Sequence, residues 1–190
     1  MLSYLAAALP PTSSASARLV ALQCAMRSSA AGYVCLPTGL LRSMRLGVPT
    51  AALQELRDAR WLCGPVPGSA ERGFALQLLD PAVGTQAPNR ADRARAADWA
   101  LRVCRVSRVR TLGPGPRLLA LALAAHLPAG SSSSTGEKDL LTYLCGLSPQ
   151  ELTQTLDLLM DSGLLQSWAL DLDNADVCWV FAPETGVALP

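Results

Sequence analysis

Apolar positions in the first half of the chain change their spacing several times, and each change predicts a new element. Leu19, Leu22 and Met26 lie three and four residues apart, which is the spacing of one helix face. Leu53 and Leu56 repeat this spacing further along. The pattern predicts, in order, a helix at 18–30, a short extended piece at 32–36, helices at 38–46 and 49–60, and strands at 61–66 and 74–79.

The same order of elements returns in the second half. A shift of 99 residues places Gly47-Val48 on Gly146-Leu147, and a shift of 103 residues places Leu62 on Leu165. The second copy of the third helix is therefore expected to be longer by about one turn. The predicted elements are a helix at 118–127, a flexible loop at 131–136 in place of the strand, helices at 137–144 and 148–162, and strands at 164–172 and 176–182.

This order of helix, strand, helix, helix and two-stranded wing resembles the winged helix-turn-helix superfamily. The whole chain resembles a tandem of such domains, as in many bacterial transcriptional regulators and some plasmid replication initiators. The expected fold class is mainly α with small β-wings (α+β): two winged-helix domains joined by a basic helical connector. The expected boundaries are a flexible N-terminal arm at 1–17, domain 1 at 18–81, linker and connector at 82–116, and domain 2 at 117–184. The break Gly113-Pro114-Gly115-Pro116 is expected to separate two independently folding units.

The composition argues against two classes of protein. Half of the 190 residues are apolar and 16% are charged, whereas a disordered chain needs low hydrophobicity and high net charge. The longest apolar runs, such as 118–127, are shorter than the roughly 18 residues that cross a bilayer, so no membrane association is expected. The apolar start of the chain has no basic residue before it, which favours a cytoplasmic location over secretion.

The sequence lacks the usual residue patterns of catalytic and metal sites. The six cysteines include no Cys-x-x-Cys pair, which favours reduced core thiols over a zinc site. His126 is the only histidine and lies at the end of an apolar helix. No glycine-rich phosphate loop occurs, and the calcium-like start Asp171-x-Asp173 lacks the loop glycine and the final glutamate. We therefore expect no enzyme activity, no catalytic residue, no cofactor and no metal.

Charge is divided unevenly along the chain. Residues 1–117 contain 15 arginines and six acidic residues, whereas residues 118–190 contain one lysine and nine acidic residues. A basic half of this kind is typical of a protein that meets a polyanion. The alternative is that two solvated surfaces simply differ in charge.

The resemblance implies that the third helix of domain 1 enters the DNA major groove. Thr50, Gln54 and Arg57 are spaced to share one face, with Ala51 beside them. Glutamine can pair with adenine, and threonine or alanine can contact the thymine methyl group. The residues expected to meet backbone phosphates are Arg42, Ser43, Arg45, Arg72, Arg102, Arg105 and Arg108. For each of them, the alternative is a purely solvated role.

Domain 2 differs from domain 1 at the equivalent places. Its third helix begins Ser148-Pro149-Gln150-Glu151 and has no basic residue, and its wing carries Asp171, Asp173 and Asp176. These carboxylates would repel phosphate, so domain 2 is expected to serve dimerisation or a protein partner. The favoured interpretation is a cytoplasmic, homodimeric transcriptional regulator that binds double-stranded DNA. The alternatives are a winged-helix protein-interaction scaffold that never touches DNA, and a replication initiator.

Overall fold

The structure, a computed structural model, describes residues 1–46, 49–64, 73–80, 82–85, 89–171 and 173–183. The chain divides into two compact units, Met1–Asp98 (unit 1) and Trp99–Pro190 (unit 2). The fold is mixed α+β, and the described strands form two antiparallel three-stranded sheets, one in each unit. Arg72 and most of the turn expected between the first two strands lie outside the described residues.

Unit 1 contains a sheet with the strand order β1-β3-β2. Val34 and Leu36 on β1 pair with Leu76 and Phe74 on β3. The described elements are α1 (Leu2–Ala8), α2 (Ala15–Arg27), β1 (Tyr33–Pro37), α3 (Thr38–Met44), α4 (Pro49–Asp58), β2 (Leu62–Cys63), β3 (Gly73–Leu78), α5 (Ala82–Thr85) and the first part of α6 (Arg90–Arg105). From α2 to β3 this order agrees with the sequence-based expectation, whereas α5 lies in a segment that was expected to be a linker.

The core of unit 1 forms around α2. Every residue from Ala17 to Ala25 is buried, because the helix is covered on all sides. From α4, Leu53 and Leu56 are also fully buried. The one amide in this stretch, Gln23, donates from Nε2 to the carbonyl oxygen of Ala97 at 3.1 Å, which satisfies the buried group.

The start of the chain differs from the expected flexible arm. Residues Leu2–Ala8 form α1, whose Leu5 is buried, as is Leu9 just after the helix. The hydroxyl of Tyr4 donates to Asp80 at 2.6 Å, which ties the helix to the segment after β3. Burial of these apolar side chains stabilises a segment whose composition alone resembled a loose terminus.

Unit 2 repeats the element order of unit 1, and its sheet has the equivalent strand order β4-β6-β5. Its described elements are the end of α6, then α7 (Pro114–Ala125), β4 (Ser133–Glu137), α8 (Lys138–Cys145), α9 (Pro149–Asp161), β5 (Leu165–Leu170) and β6 (Asp176–Phe181). The helix α9 has 13 residues against 10 in α4, close to the extra turn that the two shifts predicted.

Two buried arginines give the repeat a structural signature. In unit 1, Arg18 donates from Nε to the carbonyl oxygen of Ser13 at 3.2 Å. In unit 2, Arg117 donates from Nε to the carbonyl oxygen of Leu112 at 3.0 Å. Both bonds reach back five residues, and the two arginines lie 99 residues apart, the shift found in the sequence.

The expectation of a flexible loop at 131–136 was wrong. Residues Ser133–Glu137 form β4, which pairs with β6 along its whole length. A side-chain carbon added to Gly136 would stand 3.3 Å from the ring of Trp179, so the glycine leaves space for this buried indole. Packing against the tryptophan and pairing with β6 outweigh the weak strand propensity of a serine-rich segment.

The division between the units also falls earlier than expected. Gly113 is the N-cap of α7 and Pro114 its first residue, a position where proline's missing N–H costs little. The glycine-proline segment therefore begins a helix inside unit 2, and the boundary lies within α6, between Asp98 and Trp99.

Candidate nucleic-acid interface

The helix α4 presents three of the predicted base-contacting residues to solvent. Thr50, Ala51 and Gln54 are exposed, whereas Arg57 is half-buried. The opposite side of the helix carries the buried leucines that pack in the unit 1 core. The predicted face is therefore one side of α4, a short helix whose other side packs in the core of unit 1.

The amide of Gln54 is oriented by neighbours on its own helix. Its Nε2 donates to Asp58 Oδ1 at 2.8 Å, and its Oε1 accepts from Arg57 Nη1 at 3.5 Å. An amide has two N–H donors and two acceptor lone pairs, so one donor and one lone pair remain for a base edge. The sequence did not predict this arrangement, although the spacing Gln54–Asp58 is a helical i, i+4 pair.

Glu55 lies on the same helix but is engaged inside the unit. Its carboxylate accepts from the backbone N of Ser14 at 2.5 Å and from the Ser14 hydroxyl at 2.7 Å. The Ser14 hydroxyl in turn accepts from the N of Ala17 and caps α2. Glu55 therefore fixes α4 against the start of α2. Sequence reasoning missed this role because its partner lies 41 residues away.

The helix before α4 supplies exposed arginines. Arg42 and Arg45 are both exposed, and Arg45 ends α3 in a left-handed conformation. The hydroxyl of Ser43 donates to the carbonyl oxygen of Leu40 at 2.7 Å, so its proton is used within the helix. Of the predicted phosphate contacts in unit 1, the two arginines are the exposed cations among the described residues.

The arginines of the segment 90–117 fall into different groups. Arg93 and Arg117 are buried, and Arg95 pairs with Asp92. Arg108 donates from Nη1 to the carbonyl oxygen of Gly163 at 2.7 Å, just beyond the end of α9, where the helix dipole favours a cation. Arg102 and Arg105, in unit 2, are exposed. The charge available to a phosphate is therefore smaller than the sequence count suggested.

The equivalent helix of unit 2 has acidic and apolar chemistry. Ser148 and Glu151 form a capping box at the start of α9, and hydrogen bonds from Ser148 lower the pKa of Glu151. Further along, the carboxylate of Asp157 accepts from Trp168 Nε1 on β5 at 3.0 Å. The predicted contrast with α4 is present, and the tryptophan contact adds a feature that sequence spacing did not indicate.

Cys24, Cys104 and His126 lie in environments that packing and hydrogen bonds within the fold determine. Burial raises the pKa of Cys24 and of Cys104 to about 12, so both thiols stay protonated and unreactive at neutral pH. The Nδ1 of His126 lies 2.7 Å from the carbonyl oxygen of Ala122, at the end of α7. Within the described ranges, no three His, Cys, Asp or Glu side chains converge as a metal site would require.

Comparison with known proteins gives no relative from which a role could be carried over. No family model, no curated protein and no solved structure matches the chain. In the part of the chain that the structure describes, no helix has the length and apolar character needed to cross a membrane. The function is therefore inferred from the residues of the chain itself.

Proposed function

We propose that the protein is a cytoplasmic DNA-binding transcriptional regulator in which unit 1 binds DNA as a winged helix. The observation that carries the proposal is the exposed α4 face, with Thr50, Ala51 and Gln54 on the side opposite the buried leucines. The order α2-β1-α3-α4-β2-β3 and the sheet order β1-β3-β2 support it, because a helix-turn-helix followed by a strand pair has this arrangement.

In this proposal α4 enters the major groove. Its 10 residues make a rod about 15 Å long, and the diameter of an α-helix, about 10–12 Å, fits a groove about 12 Å wide. The N-terminal residues of the helix then lie at the base edges. Gln54, already oriented by Asp58, is the adenine-reading residue. Thr50 and Ala51 contact thymine methyl groups, and Arg57 contributes a donor at the edge of the face.

Charge supports DNA binding by unit 1 more than by unit 2. Unit 1 has ten arginines and six acidic residues, whereas unit 2 has five arginines, one lysine and nine acidic residues. One of the acids of unit 1, Glu55, is engaged by Ser14. Arg42 and Arg45 hold the backbone phosphates, and Arg102 and Arg105 add contacts from α6. Unit 2 binds a protein partner or a second copy, which would make the regulator a homodimer.

The second candidate is a protein-interaction scaffold that does not bind DNA. It is favoured by one observation, the exposed apolar side chains of unit 2, which include Tyr143, Leu158 and Leu170. Both candidates give unit 2 a protein partner, so DNA binding by unit 1 is what separates them.

The experiment that tests the proposal compares two sets of arginines in the full chain. Binding to a fluorescein-labelled duplex of random sequence is measured by anisotropy over a salt series. The double variant Arg42→Ala/Arg45→Ala should bind more weakly, with a salt slope reduced by about two, since each lost phosphate contact removes about one.

The matched control is Arg95→Ala, which removes a cation of the same unit that Asp92 already pairs. It should leave affinity and slope close to those of the unmodified protein. If Arg95→Ala lowers the affinity as much per removed charge as the double variant does, binding depends on net charge alone. The α3–α4 surface is then not the interface.

A further inference from the structure

In the described ranges, unit 2 has more large exposed apolar side chains than unit 1. Among the described residues, large hydrophobic side chains that are exposed number two in unit 1, Tyr33 and Leu79, and neither lies on α3 or α4. Unit 2 has four: Tyr143, Leu158, Met160 and Leu170. Single exposed leucines need no explanation, but a group on adjacent elements marks an interaction surface.

A hydrogen bond brings two of the relevant elements together. Trp168 on β5 donates from Nε1 to Asp157 on α9 at 3.0 Å. Leu170 is on the same face of β5 as Trp168, since the two residues pair with Val177 and Trp179, which are both buried on one face of β6. Leu158 follows Asp157 directly on the exposed side of α9 and is 47% exposed.

Carboxylates lie on or next to the same two elements as these apolar side chains. Asp157 and Asp161 lie one helical turn apart on α9, and both are exposed. Asp171 follows Leu170 at the end of β5. The helix α9 itself has no basic residue, and the cation just beyond its end is Arg108, which donates to the carbonyl oxygen of Gly163. We define the α9–β5 surface as Asp157, Leu158, Asp161, Trp168 and Leu170.

We propose that the α9–β5 surface is a docking site for a basic segment of another protein that carries aliphatic or aromatic side chains. The apolar members bury against the apolar side chains of the segment, while Asp157 and Asp161 pair with its arginines or lysines. Charge complementarity selects this occupant. It disfavours nucleic acid, and it disfavours the same surface of a second copy, because both would bring like charges together.

The proposal deepens the partner-binding role given to unit 2 but does not depend on DNA binding by unit 1. It is tested by selecting binders from a phage-displayed library of random peptides on the immobilised full chain. The selected peptides should combine arginine or lysine with leucine, phenylalanine or tryptophan. A synthetic peptide of the most enriched sequence is then titrated calorimetrically against the variants.

The double variant Asp157→Asn/Asp161→Asn removes both charges and keeps an oxygen acceptor for Trp168. It should weaken the peptide about tenfold at low salt and flatten the salt dependence. Leu158→Ser, at an exposed position that the fold does not need, should weaken it by about tenfold or more. Gln150→Ala, exposed in the first turn of α9 and two helical turns from Asp157, is the matched control and should have no effect.

Three results would overturn the proposal: the library yields no binder, the selected peptides have no positive charge, or the variants bind the peptide as tightly as the unmodified protein does. So would a change in the sedimentation of the free protein caused by the aspartate variant, because the occupant would then be a second copy. Duplex binding is measured on the same samples so that the two proposals can be tested separately. The variants should bind duplex DNA as the unmodified protein does. If the protein does not bind DNA at all, the peptide result remains valid.

Discussion

Gly73 is a residue of unit 1 at which a single added methyl group should be strongly destabilising. It has φ +151° and pairs with Pro37 where β3 meets β1. An added Cβ would stand 2.4 Å from the carbonyl oxygen of Leu36 and 2.9 Å from the Cα of Pro37. Both are backbone atoms, which cannot rotate away as a side chain does. Gly73→Ala must therefore separate the two strands.

The expected cost has two parts. The unusual backbone conformation costs an alanine about 1–3 kcal/mol, and each backbone hydrogen bond lost between β1 and β3 costs about 0.5–1.5 kcal/mol. We expect the free energy of unfolding of unit 1 to fall by about 3 kcal/mol, which corresponds to about a hundredfold in the unfolding equilibrium.

Hydrogen exchange followed by mass spectrometry measures this loss unit by unit. Peptides that cover β1 and β3 should exchange about a hundredfold faster in Gly73→Ala, while peptides that cover β4 and β6 should be unchanged. The control is Gly39→Ala, at a helical glycine with no atom within 4 Å of the added carbon. It should slow exchange or leave it unchanged, because alanine favours the helix. Exchange in Gly73→Ala equal to that of the unmodified protein would show that the β1–β3 pairing is wrong.

Four further substitutions test the interface and the unit 2 cap. Gln54→Ala should change the base preference by about 1–3 kcal/mol at an adenine, whereas Gln150→Ala should leave the base preference unchanged. Competition between specific and random duplexes measures both effects. Arg105→Ala should weaken binding to all duplexes alike and lower the salt slope by about one; a sequence-dependent loss would contradict this. The lowered pKa of Glu151 means that its ionised form stabilises the fold above its ordinary pKa of 4.5, and this contribution is lost as pH falls through the lower folded value. Urea unfolding of Glu151→Gln should therefore differ more from that of the unmodified protein at pH 6 than at pH 3, and an equal difference would refute the capping role.

The parts of the fold that follow local rules were predictable from the sequence. Ser148 and Glu151 stand three residues apart before an apolar repeat, and the capping box and the helix α9 are both present. The strand β4 could not be predicted in this way, because its serine-rich segment is held by pairing with β6 and by packing of Trp179 on Gly136. The helix α1 was missed for the same reason, since burial of its apolar side chains is a tertiary effect.

The sequence was enough to predict which helix face carries the candidate site, but not which side chains are held by contacts with distant residues. Helical spacing placed Thr50 and Gln54 on one exposed side of α4, as the structure has them. Counting arginines could not reveal that Arg108 is held by Gly163 or that Arg93 is buried against Ser28, because those partners are 55 and 65 residues away. The same limit applies to the bond between Glu55 and Ser14.

The salt dependence of DNA affinity tests the central claim most directly. The full chain is titrated with a labelled duplex of random sequence from low to physiological salt, and the logarithm of the association constant is plotted against that of the salt concentration. Arg42, Arg45, Arg102 and Arg105 are the exposed predicted phosphate contacts among the described residues, apart from Arg108, which is also exposed but donates to the carbonyl oxygen of Gly163. Four such contacts predict measurable binding at low salt and a slope of about −4. No affinity at low salt, or a slope near zero, would contradict DNA binding and leave the interaction scaffold as the function.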